Sequence, residues 1–116
     1  LLRQDHKRRS KLQEARTAKD FRGRVTPASG SQWHSKGDVK TKNWLIECKT
    51  TTKQSYSLKV QTWHKIWKEA MSEGRDPLMV IDFAEDDTSL VVIDKEDFLA
   101  ILSQPIYREL NKEIGT

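Results

Sequence analysis

The sequence predicts an α/β fold in which a central mixed five-stranded sheet is flanked by helices, all within a single domain of residues 1–116. Three observations carry that expectation. The periodic segments run helix, three strands, helix, two strands, helix, an order that packs most economically as layers of helix and sheet. Residues 78–83 and 89–93 are largely apolar runs, as expected of strands covered on both faces. Residues 58–73, just before them, repeat their apolar side chains at helical spacing. A chain of 116 residues and 13.5 kDa has room for one modest core and one principal site.

Taken in order, residues 6–21 read as a helix, because Leu12, Ala15, Ala18 and Phe21 recur three apart among charged residues, with Gly23 as the stop. Arg24-Val25-Thr26 reads as a short strand ended by Pro27, and Ala28-Ser29-Gly30-Ser31 has loop composition. Strand 36–40, the turn Thr41-Lys42-Asn43 and strand 44–51 form a hairpin. After the polar linker Lys53-Gln54-Ser55-Tyr56, the second helix covers 58–73, with Val60, Trp63, Trp67, Ala70 and Met71 on its inner face and Gly74 at its end. The runs 78–83 and 89–93, joined by the acidic turn Ala84-Glu85-Asp86-Asp87, read as core strands forming a hairpin or lying side by side. Asp94 caps a short helix ending near Leu102, and Pro105 separates it from a final helix or tail with Tyr107 and Leu110.

The net charge of +4 conceals an asymmetry. Residues 1–50 carry 13 Lys or Arg against 5 Asp or Glu, whereas residues 51–116 carry 8 against 12. A basic first half suits a polyanionic partner, nucleic acid above all. For the stretch from Arg3 to Lys11 alone, a merely solvated or disordered tail is an equal reading. No apolar run approaches the ~20 residues that cross a bilayer, and no signal-like stretch follows the basic start, so a soluble cytoplasmic protein with no membrane partner is expected. Cys48 is the single cysteine, which rules out an intrachain disulfide or a cysteine-rich zinc site and fits a reducing compartment.

Chemistry concentrates in the hairpin. Asp38 on one strand faces Glu47-Cys48-Lys49 on the next, and strand alternation sends Glu47 and Lys49 to one side and Trp44, Ile46 and Cys48 to the other. Two carboxylates and a lysine then converge. Oxygen ligands of this kind hold Mg²⁺, and the chemistry suggested is phosphodiester hydrolysis. The plainer reading of Glu47 and Lys49 is a solvated ion pair. Cys48 reads as a packing residue whose backbone carbonyl reaches a metal. Trp44, Trp63 and Trp67 read as core or interface residues, with base stacking as the alternative, while Trp33 lies in a loop beside the site.

Glu14 on the first helix, Arg24-Val25-Thr26-Pro27-Ala28-Ser29-Gly30, Lys36-Gly37-Asp38-Val39 and Ile46-Glu47-Cys48-Lys49-Thr50, followed by the basic stretch 53–59, together resemble the PD-(D/E)XK nucleases. Within that superfamily the pattern is similar to the small Holliday junction resolvases of archaea and bacteriophages, over residues 10–83. The resemblance implies a restriction-endonuclease-like form of the fold. It implies that Asp38 and Glu47 bind the metal, that Lys49 positions water or stabilises phosphate charge, that Glu14 is an extra acid at the same metal, and that Ser29 contacts phosphate or water without acting as a covalent nucleophile. Gln61 would line the cleft, a plain surface glutamine being the equal alternative, and His34 would touch DNA or be incidental. Arg22, Arg24, Lys36, Lys53 and Lys59 are the cations expected on the DNA backbone. Gly37 stands where the family name has proline, and residues 84–116 match no motif.

The expected activity is therefore a Mg²⁺-dependent endodeoxyribonuclease, with Mn²⁺ substituting, that resolves four-way DNA junctions by paired nicks. A junction's near-twofold symmetry suits a homodimer, with Trp67 or Phe98 as candidate interface residues. A phage origin would place it in the host-cell cytoplasm. Other readings remain open: a restriction-like, flap or repair endonuclease with the same site, a catalytically silent DNA-binding module, or RNA as the substrate.

Overall fold

The protein is described by a computed structural model covering residues 2–27 and 38–114. Expectations placed on Ser29, Trp33, His34, Lys36, Gly37 and the first residues of the second strand lie outside the described residues. Four helices and five strands follow in the order α1 (Leu2–Asp20), β1 (Arg24–Val25), β2 (Val39–Lys40), β3 (Trp44–Thr51), α2 (Val60–Ser72), β4 (Asp76–Phe83), β5 (Thr88–Ile93), α3 (Lys95–Leu102) and α4 (Pro105–Ile114). The strands form one mixed sheet in the order β1-β2-β3-β4-β5. Only β3 and β4 are parallel, and α2 makes the long crossover that parallel neighbours require.

Alternation along β3 and β4 sorts the core into two layers. Ile46, Leu78 and Val80 pack with Val39 against Ala18 of α1 and Phe21 just after it, joined by Trp44 and Cys48. Met79 and Ile81 pack on the opposite face with Ile66 and Trp63 of α2. Glu47 and Lys49 alternate with Ile46 and Cys48 and so belong to the α2 side.

The contact faces of both helices differ from the apolar stripes read in the sequence. On α1 the buried residues are Gln13, Thr17 and Ala18, whereas Leu12 and Ala15 are exposed. A spacing of three falls 60° short of a turn at each step, so Leu12 and Phe21 lie on opposite sides of the helix. The true stripe, 13, 14, 17, 18 and 21, is largely polar. On α2 the buried residues are Ile66 and Ala70, and Val60, Trp67 and Met71 are exposed. The inner face is turned by about one residue, which brings Glu69 toward the sheet. Helix α2 also starts at Val60, and Leu58 packs on the core from the extended segment before it.

Turn chemistry secures the ends. Thr41 Oγ1 accepts from the amides of Asn43 at 3.2 Å and Trp44 at 2.9 Å, closing the β2–β3 turn. Asp94 caps α3 by accepting from the Glu96 amide at 2.9 Å. Gly74 takes the left-handed conformation that ends α2 (φ 67°). After α1 that conformation falls to Arg22 (φ 57°), and Gly23 serves a different need: a β-carbon there would stand 2.5 Å from the Lys40 carbonyl oxygen. Gly23→Ala is therefore expected to destabilise the protein by about 1–3 kcal/mol, read as a lowered denaturation midpoint.

Strand β4 is buried, as expected for a central strand, but β5 is an edge strand with Leu90 and Val91 about half exposed. Helices α3 and α4 leave Phe98, Leu99, Ile106, Tyr107 and Leu110 exposed as well. No helix among the described residues is long and apolar enough to cross a membrane.

Candidate active site

The β2–β3 register pairs Val39 with Ile46, which sets Asp38 opposite Glu47. The Asp38 main chain is held on both sides: its amide donates to the Ile46 carbonyl at 3.0 Å, and its carbonyl accepts from the Thr26 amide at 2.9 Å. The Asp38 side chain turns onto β3, where Oδ2 accepts from the Cys48 amide at 2.8 Å. Lys49 Nζ stands 3.6 Å from Glu47 Oε1, with the lysine side chain 40% exposed and the glutamate 22%. The acid pair is thus partly enclosed, and the ammonium beside it reaches solvent.

Withdrawal from water raises all three acids. Glu47 is lifted from 4.5 to about 7, chiefly by burial, then by the charge of Asp38, with Glu69 adding to the rise and Lys49 opposing it. Asp38 is raised by burial, against the Cys48 amide, Lys49 and the Glu47 carboxyl. Glu14 is raised by burial and then by Asp38, with Lys11 opposing, so Glu14 of α1 lies within the field of Asp38. Two desolvated carboxylates facing each other carry more negative charge than one lysine balances.

The side chains of Glu14, Asp38 and Glu47 do not gather into one three-acid cluster. Among the described residues no three His, Cys, Asp or Glu side chains stand together as a metal cage. Cys48 serves the site through its amide, and its thiol, packed in the α1-side layer, is pushed up to about 12, mainly by burial. An Asp38–Glu47 pair nevertheless suits Mg²⁺, which keeps several waters and is commonly held by one or two carboxylates together with substrate phosphate.

The expected DNA contacts are less concentrated. Arg22 and Arg24 are exposed at the α1–β1 corner, and Lys59 is exposed at the start of α2. Lys53 is exposed too, but it lines a cleft with Glu85 and Asp86, an acidic neighbourhood that does not favour a phosphate contact. Gln61 lines a groove of about 900 Å³ with Trp63, His64, Trp67, Lys68 and Glu69, on the flank of α2.

Two residues at the site went unread in the sequence. Gln13 is buried beneath α1 and donates from Nε2 to the carbonyls of Lys49 at 2.7 Å and Val80 at 3.2 Å. Glu69 acts on Glu47 from α2. The helical phase set by Ile66 and Ala70 would have turned Glu69 inward; no signal in the sequence marks Gln13. Comparison with family models, with curated proteins and with solved structures returned no match.

The acid pair predicts a pH-dependent stability. In the unfolded chain Glu47 titrates near 4.5, and in the folded protein near 7. The native state holds its proton more tightly, so its contribution to stability is full below the unfolded value and is lost as pH rises through about 7. In chelator, the melting temperature should fall between pH 5 and 8, by an amount on the order of 2 kcal/mol in stability for this residue. Glu47→Gln should flatten that fall and be the more stable protein at pH 8, as measured by calorimetry.

Proposed function

We propose that this chain is a Mg²⁺-dependent endodeoxyribonuclease of the PD-(D/E)XK type that resolves four-way DNA junctions as a homodimer. The observation that carries the reading is Asp38 opposed to Glu47 across the hairpin, both raised by burial, with the Lys49 ammonium 3.6 Å from Glu47. Asp38 and Glu47 would hold the cation, with Glu14 as an outlying acid. The bound cation supplies positive charge for the phosphoryl oxygens and lowers the pKa of water beside the scissile bond.

The chain's own groups do the rest. The Cys48 amide fixes the rotation of the Asp38 carboxylate, so its free oxygen has a set direction. Glu47 holds the Lys49 ammonium at the mouth of the site, where it donates to phosphate oxygens as charge builds on them. Arg22, Arg24 and Lys59 add sequence-independent backbone contacts, and Ser29 and Lys36 belong to the same proposal through the resemblance. The exposed apolar side chains of the acidic half, Phe98, Leu99, Ile106, Tyr107 and Leu110, support a protein contact.

Cleavage tests the reading. Purified protein with Mg²⁺ should place paired symmetric nicks in a labelled immobile four-way junction and leave linear duplex, flap and single-stranded controls intact. Equal cutting of the controls would remove the junction assignment, and no cutting in Mg²⁺ or Mn²⁺ would overturn the nuclease reading. A monomeric mass that persists with junction bound would remove the dimer.

A further inference from the structure

We propose that Gln13 is a positioning residue, tying α1 to the backbone of Lys49 and thereby setting where Glu14 stands relative to the Asp38–Glu47 pair; the inference rests on the reading of that pair as a cation site. Gln13 is 1% exposed, and its Nε2 bonds to two main-chain carbonyls on adjacent strands, Lys49 at 2.7 Å and Val80 at 3.2 Å. Both partners are acceptors, so the amide has one possible orientation, with its NH₂ toward the strands. Its Oε1 is also buried and has no partner.

A packing role alone does not call for this arrangement. Leucine or methionine would fill the same space without burying an unbonded oxygen. Helix α1 is already anchored by Ala18 and Phe21 in the core and by Arg16, whose guanidinium lies 3.0 Å from Asp82. What the amide adds is register. A bond to main chain fixes height and rotation of the helix, where apolar contacts tolerate sliding, and it does so at the residue bearing the site's lysine. Glu14 follows Gln13 by 100° of helix rotation and is the α1 residue within the field of Asp38. Small shifts of α1 therefore reach the acids through Glu14 first.

The test uses Gln13→Met in the full chain, with Gln13→Asn, polar but too short to reach both carbonyls, as the second variant if methionine prevents folding. Three quantities are read: Mn²⁺ affinity without DNA by calorimetry, junction affinity in Ca²⁺, and single-turnover junction cleavage per folded molecule in Mg²⁺. A positioning role predicts Mn²⁺ affinity and cleavage rate each lowered about 10- to 100-fold, with junction affinity within about twofold of wild type. It further predicts that, in a Glu14→Gln background, the same Gln13 substitution adds little to either loss, because it acts through Glu14. Wild-type Mn²⁺ affinity in a folded variant would overturn the inference, as would losses that simply add in the double mutant. If wild-type protein binds Mn²⁺ but cuts no DNA, the nuclease reading fails, and the affinity arm of the cycle still decides the role of Gln13.

Discussion

Asp38→Asn and Glu47→Gln are each expected to lower junction cleavage by about 10³-fold or more while leaving junction binding within a fewfold of wild type. Both amides keep the shape of the acid. Asparagine still offers an oxygen to the Cys48 amide, which lies 2.8 Å from Asp38 Oδ2, so the hairpin keeps its bond. The charge that would hold the cation is what disappears. Removing one carboxylate also relieves the other, since Asp38 is among the causes that raise Glu47. Melting temperature in chelator should therefore stay level or rise in both variants. Loss of cleavage with a rise in stability identifies an acid kept for chemistry; loss of folding together with binding would assign it to structure. The measurements are single-turnover rates, junction affinity in Ca²⁺, and calorimetric melting.

Lys49→Ala should slow cleavage by about 10²- to 10³-fold with little change in junction affinity. The side chain is 40% exposed and its ammonium stands 3.6 Å from Glu47, so removing it leaves no cavity in the core. Its carbonyl remains to accept from Gln13, and α1 stays in register. The loss should thus fall on the rate, because the ammonium matters most as charge develops on the phosphoryl oxygens. Turnover within threefold of wild type would remove Lys49 from the site. Binding itself should weaken steeply with salt, as phosphate contacts by Arg22, Arg24 and Lys59 require, and a flat salt response would argue against that surface.

The hairpin was legible because strand alternation has a period of two and a short turn leaves few registers. Asp38, Glu47 and Lys49 could be set together from their positions alone. The helices were legible in place and less so in phase. Helix α1 and the residue after it cover the sheet with Gln13, Glu14, Thr17, Ala18 and Phe21; a search for apolar spacing finds Ala18 and Phe21 but adds Leu12 and Ala15, which face water. The stripe is polar where Gln13 bonds backbone carbonyls and Glu14 lies within the field of Asp38, and those partners are distant in the sequence. On α2, Ile66 and Ala70 set the phase and bring Glu69 within the field of Glu47, so an apolar stripe drawn through Trp67 and Met71 misses the true face. Strand β5 failed for another reason. A continuous apolar run looks alike in a central strand and at a sheet edge, and only the sheet order separates them. In both helices, then, the reading departed from the structure where a polar side chain faces inward near the acids, as expected where local rules give way to function.

A calorimetric titration of Mn²⁺ into DNA-free protein near pH 6.5, repeated in two buffers of different ionisation enthalpy, tests the central claim most directly. The account predicts saturable binding that releases protons, because the cation displaces the proton shared by desolvated acids, and it predicts that Asp38→Asn or Glu47→Gln abolishes that binding. Failure to bind Mn²⁺, or binding that Asp38→Asn and Glu47→Gln leave unchanged, would contradict it.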